Sequence, residues 1–145
     1  MFKSRIRLIN EEEYSKKFLL SQVSVKNFLK NDIFLGHEPE EVVILIGLSN
    51  QLEILNYFEV SRGTIDMSHV TGREVTKRIC LTNAAKMILA HNHPSNSAIV
   101  SNEDIIVTKN IKKLGEILGI ELIDSCIITP SGDFISLSER NLLNN

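Results

Sequence analysis

The stretch Met87-Ile88-Leu89-Ala90-His91-Asn92-His93-Pro94, with Ser101 and Asp104 downstream, decides the fold of this chain. Met87 to Ala90 is an apolar run of strand length. Side chains two apart in a strand point to one face, so His91 and His93 present both imidazoles together. Pro94 has no N–H for a sheet ladder, and the strand should end there. Ten residues separate His93 from Asp104, enough for a loop that folds back. Asp104 then lies in the opening turn of an amphipathic helix. Two imidazoles and a carboxylate suit zinc, and three protein ligands leave a fourth position for water, the arrangement of catalytic sites. Ser101-x-x-Asp104 is also a capping-box pattern, with Ser101 at the N-cap and Asp104 at N3. The two roles are compatible, because Ser101 can cap while facing the metal.

Working outward, Val107, Ile111, Leu114 and Leu118 step by helical intervals, which predicts a helix over 102–118 closed by Gly119. Ile120 to Thr129 reads as a strand, Pro130 to Asp133 as a turn, and Phe134 to Leu137 as a short returning strand. Ser138 is placed to cap a last short helix from Glu139. Upstream, Val42 to Leu48 is a continuous apolar run, which suits a strand covered on both faces. Leu52 to Ser61 alternates and should pair with it antiparallel, up to the break at Arg62-Gly63. Thr71 or Gly72 starts a helix through about Asn83, with Val75, Ile79 and Cys80 as its apolar stripe. The loop from Pro94 to Val100 is expected to flank the site and to move. Near the N-terminus, Asn10 followed by Glu11, Glu12 and Glu13 reads as a helix start running to about Leu20. These elements imply an α/β (α+β) domain with a mixed central sheet between helical layers.

With 145 residues, 43% hydrophobic and 23% charged, the chain has the size and composition of one globular domain. Net charge is −2 and the pI is about 6.1, so no basic footprint supports general nucleic-acid binding. Cys80 and Cys126 lie far apart with no C-x-x-C, and buried thiols in a reducing cytoplasm are expected. No signal h-region and no apolar run of membrane-spanning length occur.

The His pair, the ten-residue interval and the Asp, with Ser three residues before it, resemble the JAMM metalloprotease motif. Arg73-Glu74-Val75, Asn83-Ala84-Ala85, His91-Asn92-His93-Pro94-Ser95, Ser101-x-x-Asp104-Ile105 and Ile120-Glu121-Leu122-Ile123-Asp124 are similar to the RadC-type branch of the JAB/MPN domains. The resemblance covers about Ile33 to Leu143. It implies a three-layer α/β/α fold of the cytidine-deaminase-like kind, with 33–145 as the metal-binding domain and 1–32 as a helical extension packed on it. The helical, DNA-binding-like segment of full-length relatives is expected to be lacking, as in a short form. It also implies a Zn2+-dependent metallopeptidase or isopeptidase with a peptide or isopeptide substrate. His91, His93 and Asp104 would be its ligands. The family places a general base just ahead of the first strand. Glu41 is the choice, with Glu40 and Glu38 competing. Ser101 corresponds to the serine that steadies the oxyanion.

Three departures bear on substrate preference and loop geometry. Ser125 stands where relatives read His, Gly72 where they read Pro, and Asn96 where they read Gly. The alternative function is an accessory protein of DNA repair or mobile-element biology, with little catalysis of its own. A zinc deaminase would need His-x-Glu with Cys-x-x-Cys, and a zincin H-E-x-x-H; neither is present. Nucleases named for His-Asn-His spread those residues over a ββα unit rather than one tripeptide.

Overall fold

The computed structural model describes residues 1–63 and 67–144. Five strands form one sheet: β1 (Val42–Leu48), β2 (Ile54–Arg62), β3 (Lys86–Asn92), β4 (Glu121–Ile128) and β5 (Phe134–Ser136). Their order across the sheet is β2-β1-β3-β4-β5. β1 pairs antiparallel with both β2 and β3, β3 parallel with β4, and β4 antiparallel with β5. The sheet is therefore mixed, as expected. Three helices cover it: α1 (Gln22–Asn27), α2 (Gly72–Ile79) and α3 (Asn102–Leu118).

The alternation of side chains along the strands sorts the core into two layers. Val42, Ile44, Ile46 and Leu48 of β1, with Ile88 and Ala90 of β3, pack under Val25 of α1 and under Phe28, Leu29 and Leu35 just beyond it. Val43 and Leu45, with Met87 and Leu89, pack under Val75 and Ile79 of α2 and Ile111 of α3. Every residue of β1 is buried because both faces are covered, which is why its sequence does not alternate. His91 and His93 continue the odd-numbered series of β3. They consequently face the α2/α3 layer.

α3 has both of its expected ends. Ser101 is the N-cap, and Gly119 closes the helix with φ +71°. Gly115 lets α3 lie close on the sheet edge. A Cβ there would collide with the Ile120 carbonyl and crowd the Met87 side chain.

Expectations fail at Asn10, at the end of α2, at Cys80 and after Ser138. Asn10 starts no helix. Its amide oxygen instead accepts from Asn56 Nδ2 at 3.3 Å. Phe18 makes an antiparallel bridge to Glu53. Ile54 N–H donates to Lys17 O at 2.8 Å, and Leu19 N–H to Leu52 O at 2.9 Å. A helix of about ten residues is marginal alone, whereas the open edge beside β2 offers backbone partners. The first cap is Ser21, which forms a reciprocal capping box with Ser24. α2 stops at Ile79 rather than Asn83. Thr82 Oγ bonds back to Ile79 O at 2.8 Å and accepts from Ala84 N–H at 3.1 Å, which turns the chain. Cys80 falls off the buried Val75/Ile79 stripe and is exposed; Cys126 is buried, and burial pushes its thiol well up.

No helix begins at Glu139. Ser138 N–H donates to Asp124 Oδ1 at 3.0 Å, Glu139 N–H to Ser136 Oγ at 3.0 Å, and Asn141 at φ 56° ends a single turn. The loop after Pro94 flanks the site, as expected, and is held at several points. His93 N–H donates to Ile128 O at 3.0 Å, and Ser131 N–H to Asn96 Oδ1 at 3.0 Å. Ala98 and Val100 pack on a small core with Ile127, Ile135 and Leu137. Asn96 takes φ 63°, a conformation Asn tolerates better than most side chains, so it serves where Gly was expected. No helix among the described residues is long and apolar enough to cross a membrane.

Candidate metal centre

Two elements build the centre. The end of β3 supplies His91 and His93, and the first turn of α3 supplies Asp104. The His91 and His93 Nε2 atoms are 3.1 Å apart. Asp104 Oδ1 lies 3.3 Å from the first and Oδ2 3.5 Å from the second. Four ligands around zinc at about 2.0–2.2 Å stand roughly 3.3–3.6 Å from one another. The two ring nitrogens and the carboxylate, which meets each of them with a different oxygen, are thus spaced close to what a shared ion requires. Among the described residues, this is the one group of His, Cys, Asp or Glu side chains converging in this way.

The surroundings orient the ligands. His93 Nδ1 donates to the Ser97 carbonyl at 2.8 Å, which leaves Nε2 unprotonated toward the cluster when the ring is neutral. Ser101 and Asp104 form the expected reciprocal cap. Asp104 N–H donates to Ser101 Oγ and Ser101 N–H to Asp104 Oδ2, each at 3.0 Å. Ser101 Oγ accepts in that bond and keeps its own proton to donate. Burial opposes ionisation of Asp104, but hydrogen bonds from both histidines outweigh it and hold the carboxyl far below the usual range. The same carboxylate raises His93, against the opposing effect of burial. His91 is fully buried, and its Nδ1 has no partner among the described residues.

The centre opens on a cleft of about 610 Å³ lined by Glu40, Glu41, His93, Ser101, Asp104 and Glu103, among others. The β1–β3 register pairs Val43 with His91. Glu41, two residues before Val43, lines the cleft together with His93. The Glu41 charge accordingly acts on His93. Arg62 binds Glu38 at 2.8 Å and Glu40 at 3.2 Å. All five site residues expected from the sequence therefore meet in one place. The role of the Ser97 carbonyl was not legible, since a backbone group carries no sequence signature. Ser125, at the position of the expected His, is fully buried and accepts from Thr108 Oγ at 3.1 Å, tying β4 to α3 one turn beyond Asp104.

A family model described as the RadC-like JAB domain matches residues 19–142. The chain belongs to the RadC-like JAB domain family. UPF0758 proteins are similar to the chain over most of its length. A UPF0758 protein of Idiomarina loihiensis is 40% identical over 82% of this chain and 52% of its own length. One of a Marinomonas species is 36% identical over 94% of this chain and 60% of its own. A third, from Pseudomonas syringae pv. tomato, is 36% identical over 86% and 54%. The chain thus spans little more than half the length of these relatives.

Proposed function

We propose that this RadC-like JAB domain is a zinc-dependent hydrolase of the JAMM type, acting on a peptide or isopeptide bond. The observation that carries the reading is convergence: two imidazoles and a carboxylate close enough to share one ion, beside a cleft that Glu41 and Ser101 also line. The donor set fits zinc, being two imidazoles and a carboxylate with open space on the cleft side. When bound, zinc supplies Lewis acidity, which polarises a carbonyl oxygen and eases deprotonation of water. His91, His93 and Asp104 would hold it.

The protein's own groups do the rest. Glu41 takes the proton of the attacking water and returns it to the leaving nitrogen, so that no strong acid or base is released at neutral pH. Ser101 donates its hydroxyl proton to the oxygen that gains charge as the carbonyl is attacked. The Ser97 carbonyl keeps His93 in the tautomer that ligation requires. The test uses zinc-loaded protein with a panel of internally quenched peptides and an ε-linked lysyl isopeptide. Cleavage that needs zinc, and that falls by roughly 10²–10⁴ in Glu41→Gln while zinc stays bound, supports the reading. Full turnover in Glu41→Gln removes Glu41 from its role. The family name favours a second reading, an accessory function in DNA repair. Tight binding of duplex DNA at physiological salt, with no cleavage of any probe, would put that reading first.

A further inference from the structure

One side chain holds the peptide groups on both sides of Glu41. The Asn92 Oδ1 accepts from Val42 N–H at 2.7 Å, and Asn92 Nδ2 donates to Glu40 O at 2.9 Å. The first group belongs to the peptide after Glu41 and the second to the peptide before it. A third bond runs from Nδ2 to Glu38 O at 3.2 Å. On the opposite side, Gly63 N–H donates to Glu41 O at 2.9 Å. The β1–β3 pairing stops at Val43 and His91. Beyond it, the Asn92 carboxamide, with one acceptor and two donors, serves as the next rung.

The placement is specific. Asn92 is fully buried and stands between the two histidines in sequence. One strand end therefore carries two metal-binding side chains on one face and, between them, the group that fixes the acid's backbone. With both flanking peptides held, the backbone at Glu41 is fixed, and Glu41 lines the cleft. The neighbouring acids Glu38 and Glu40 pair with Arg62.

We infer that Asn92 is a positioning residue, setting the Glu41 carboxylate relative to the His91/His93 pair. The inference rests on Glu41 acting as the base. Asn92→Asp keeps the acceptor for Val42 but replaces two donors by an oxygen facing two carbonyls. Asn92→Ala removes all three bonds.

The test uses cobalt(II) as the probe, whose visible spectrum reports the geometry around the ion. Wild type, Glu41→Gln, Asn92→Ala, Asn92→Asp and the Glu41→Gln/Asn92→Ala double variant are each titrated. All should bind about one cobalt per chain with similar affinity, since the ligand set is intact. Glu41→Gln should alter the spectrum, both Asn92 variants should alter it in the same sense, and the double variant should match Glu41→Gln alone. Amide exchange at Val42 should quicken by about tenfold or more in Asn92→Ala, while amides inside α3 keep their rates. A merely structural role would instead lower cobalt affinity and melting temperature together, with spectral effects that add. If Asn92→Ala fails to fold, Asn92→Asp carries the comparison. A wild-type spectrum in a folded Asn92 variant, beside an altered one in Glu41→Gln, overturns the inference. If Glu41→Gln itself changes neither spectrum nor turnover, the base assignment has failed, and unchanged exchange at Val42 would then overturn the clamp separately.

Discussion

The Nε2 atoms of His91 and His93 stand 3.1 Å apart, and Asp104 reaches both with a different oxygen at 3.3 and 3.5 Å. A strand end and a helix start thus meet at one point. The geometry leads to definite expectations for metal, pH, stability and nucleic acid.

Purified protein supplied with zinc should hold about one ion per chain, and His93→Ala should lose most of it by elemental analysis. Because the ion binds the folded state, free zinc at a thousandfold excess over its dissociation constant should stabilise the protein by about 4 kcal/mol. Calorimetry before and after chelation reads this directly. Equal melting temperatures would count against a preformed site.

Zinc must displace the proton of His93, which Asp104 chiefly holds above the ordinary histidine value. Affinity should therefore begin to fall at a pH above ~6.5 and drop by about tenfold per unit below the raised value. In the metal-free protein the signs are opposite for the two partners. The raised His93 contributes stability that is complete below the unfolded histidine value and is lost as pH rises through the folded one. The depressed Asp104 contributes stability that is present above the unfolded carboxyl value and is lost as pH falls. The pair should help the metal-free fold most between roughly pH 4 and 6.5. Chelator-competition titrations near pH ~6 and ~8, paired with denaturant melts, check both statements.

Asp104→Asn and Ser101→Ala should separate ligand from donor. The first should weaken zinc binding and turnover together. The second should keep zinc, cost about 1 kcal/mol through the lost helix cap, and slow cleavage by roughly 10²–10³. Zinc content measured alongside turnover distinguishes them.

Asp124 is a buried anchor away from the cleft. Its carboxylate accepts from Ser125 N–H at 2.7 Å, Ser138 N–H at 3.0 Å, Ser136 Oγ at 2.6 Å and Gln22 Nε2 at 3.0 Å. Asp124→Ala strands these donors and should cost about 3–5 kcal/mol, seen as a lower denaturation midpoint. Zinc should still bind the fraction that is folded.

With net charge −2, the protein should bind duplex DNA weakly and with a steep loss on adding salt. Fluorescence anisotropy at two salt concentrations is sufficient. Sub-micromolar, sequence-selective binding at physiological salt would favour the accessory reading over the hydrolase.

Much of the site could be read in one dimension because its parts carry local signals. The period of two in a strand puts His91 and His93 on one face whatever lies beyond. The Ser101/Asp104 cap and Gly119 mark the ends of α3 within a residue or so, since both act over a single turn. The unbroken apolar run of β1 already announced burial on both faces.

Tertiary structure decided what depended on competition between distant groups. The acids of residues 11–13 looked like a helix start, but the edge beside β2 offered backbone partners to residues 17–19. Ser138 looked like a cap until Asp124, on another strand, claimed its amide. That Arg62 pairs with Glu38 and Glu40, and that Glu41 lines one cleft with His93, follows from strands brought together by folding. The Asn92 clamp had no sequence signature, because its partners are backbone groups near residue 40, brought to it only by strand pairing. Side-chain type and spacing determined which groups this chain can offer to a metal ion. Hydrogen-bond partners far apart in sequence determined where each group points, since a backbone donor or acceptor goes to whichever partner the folded chain brings within reach.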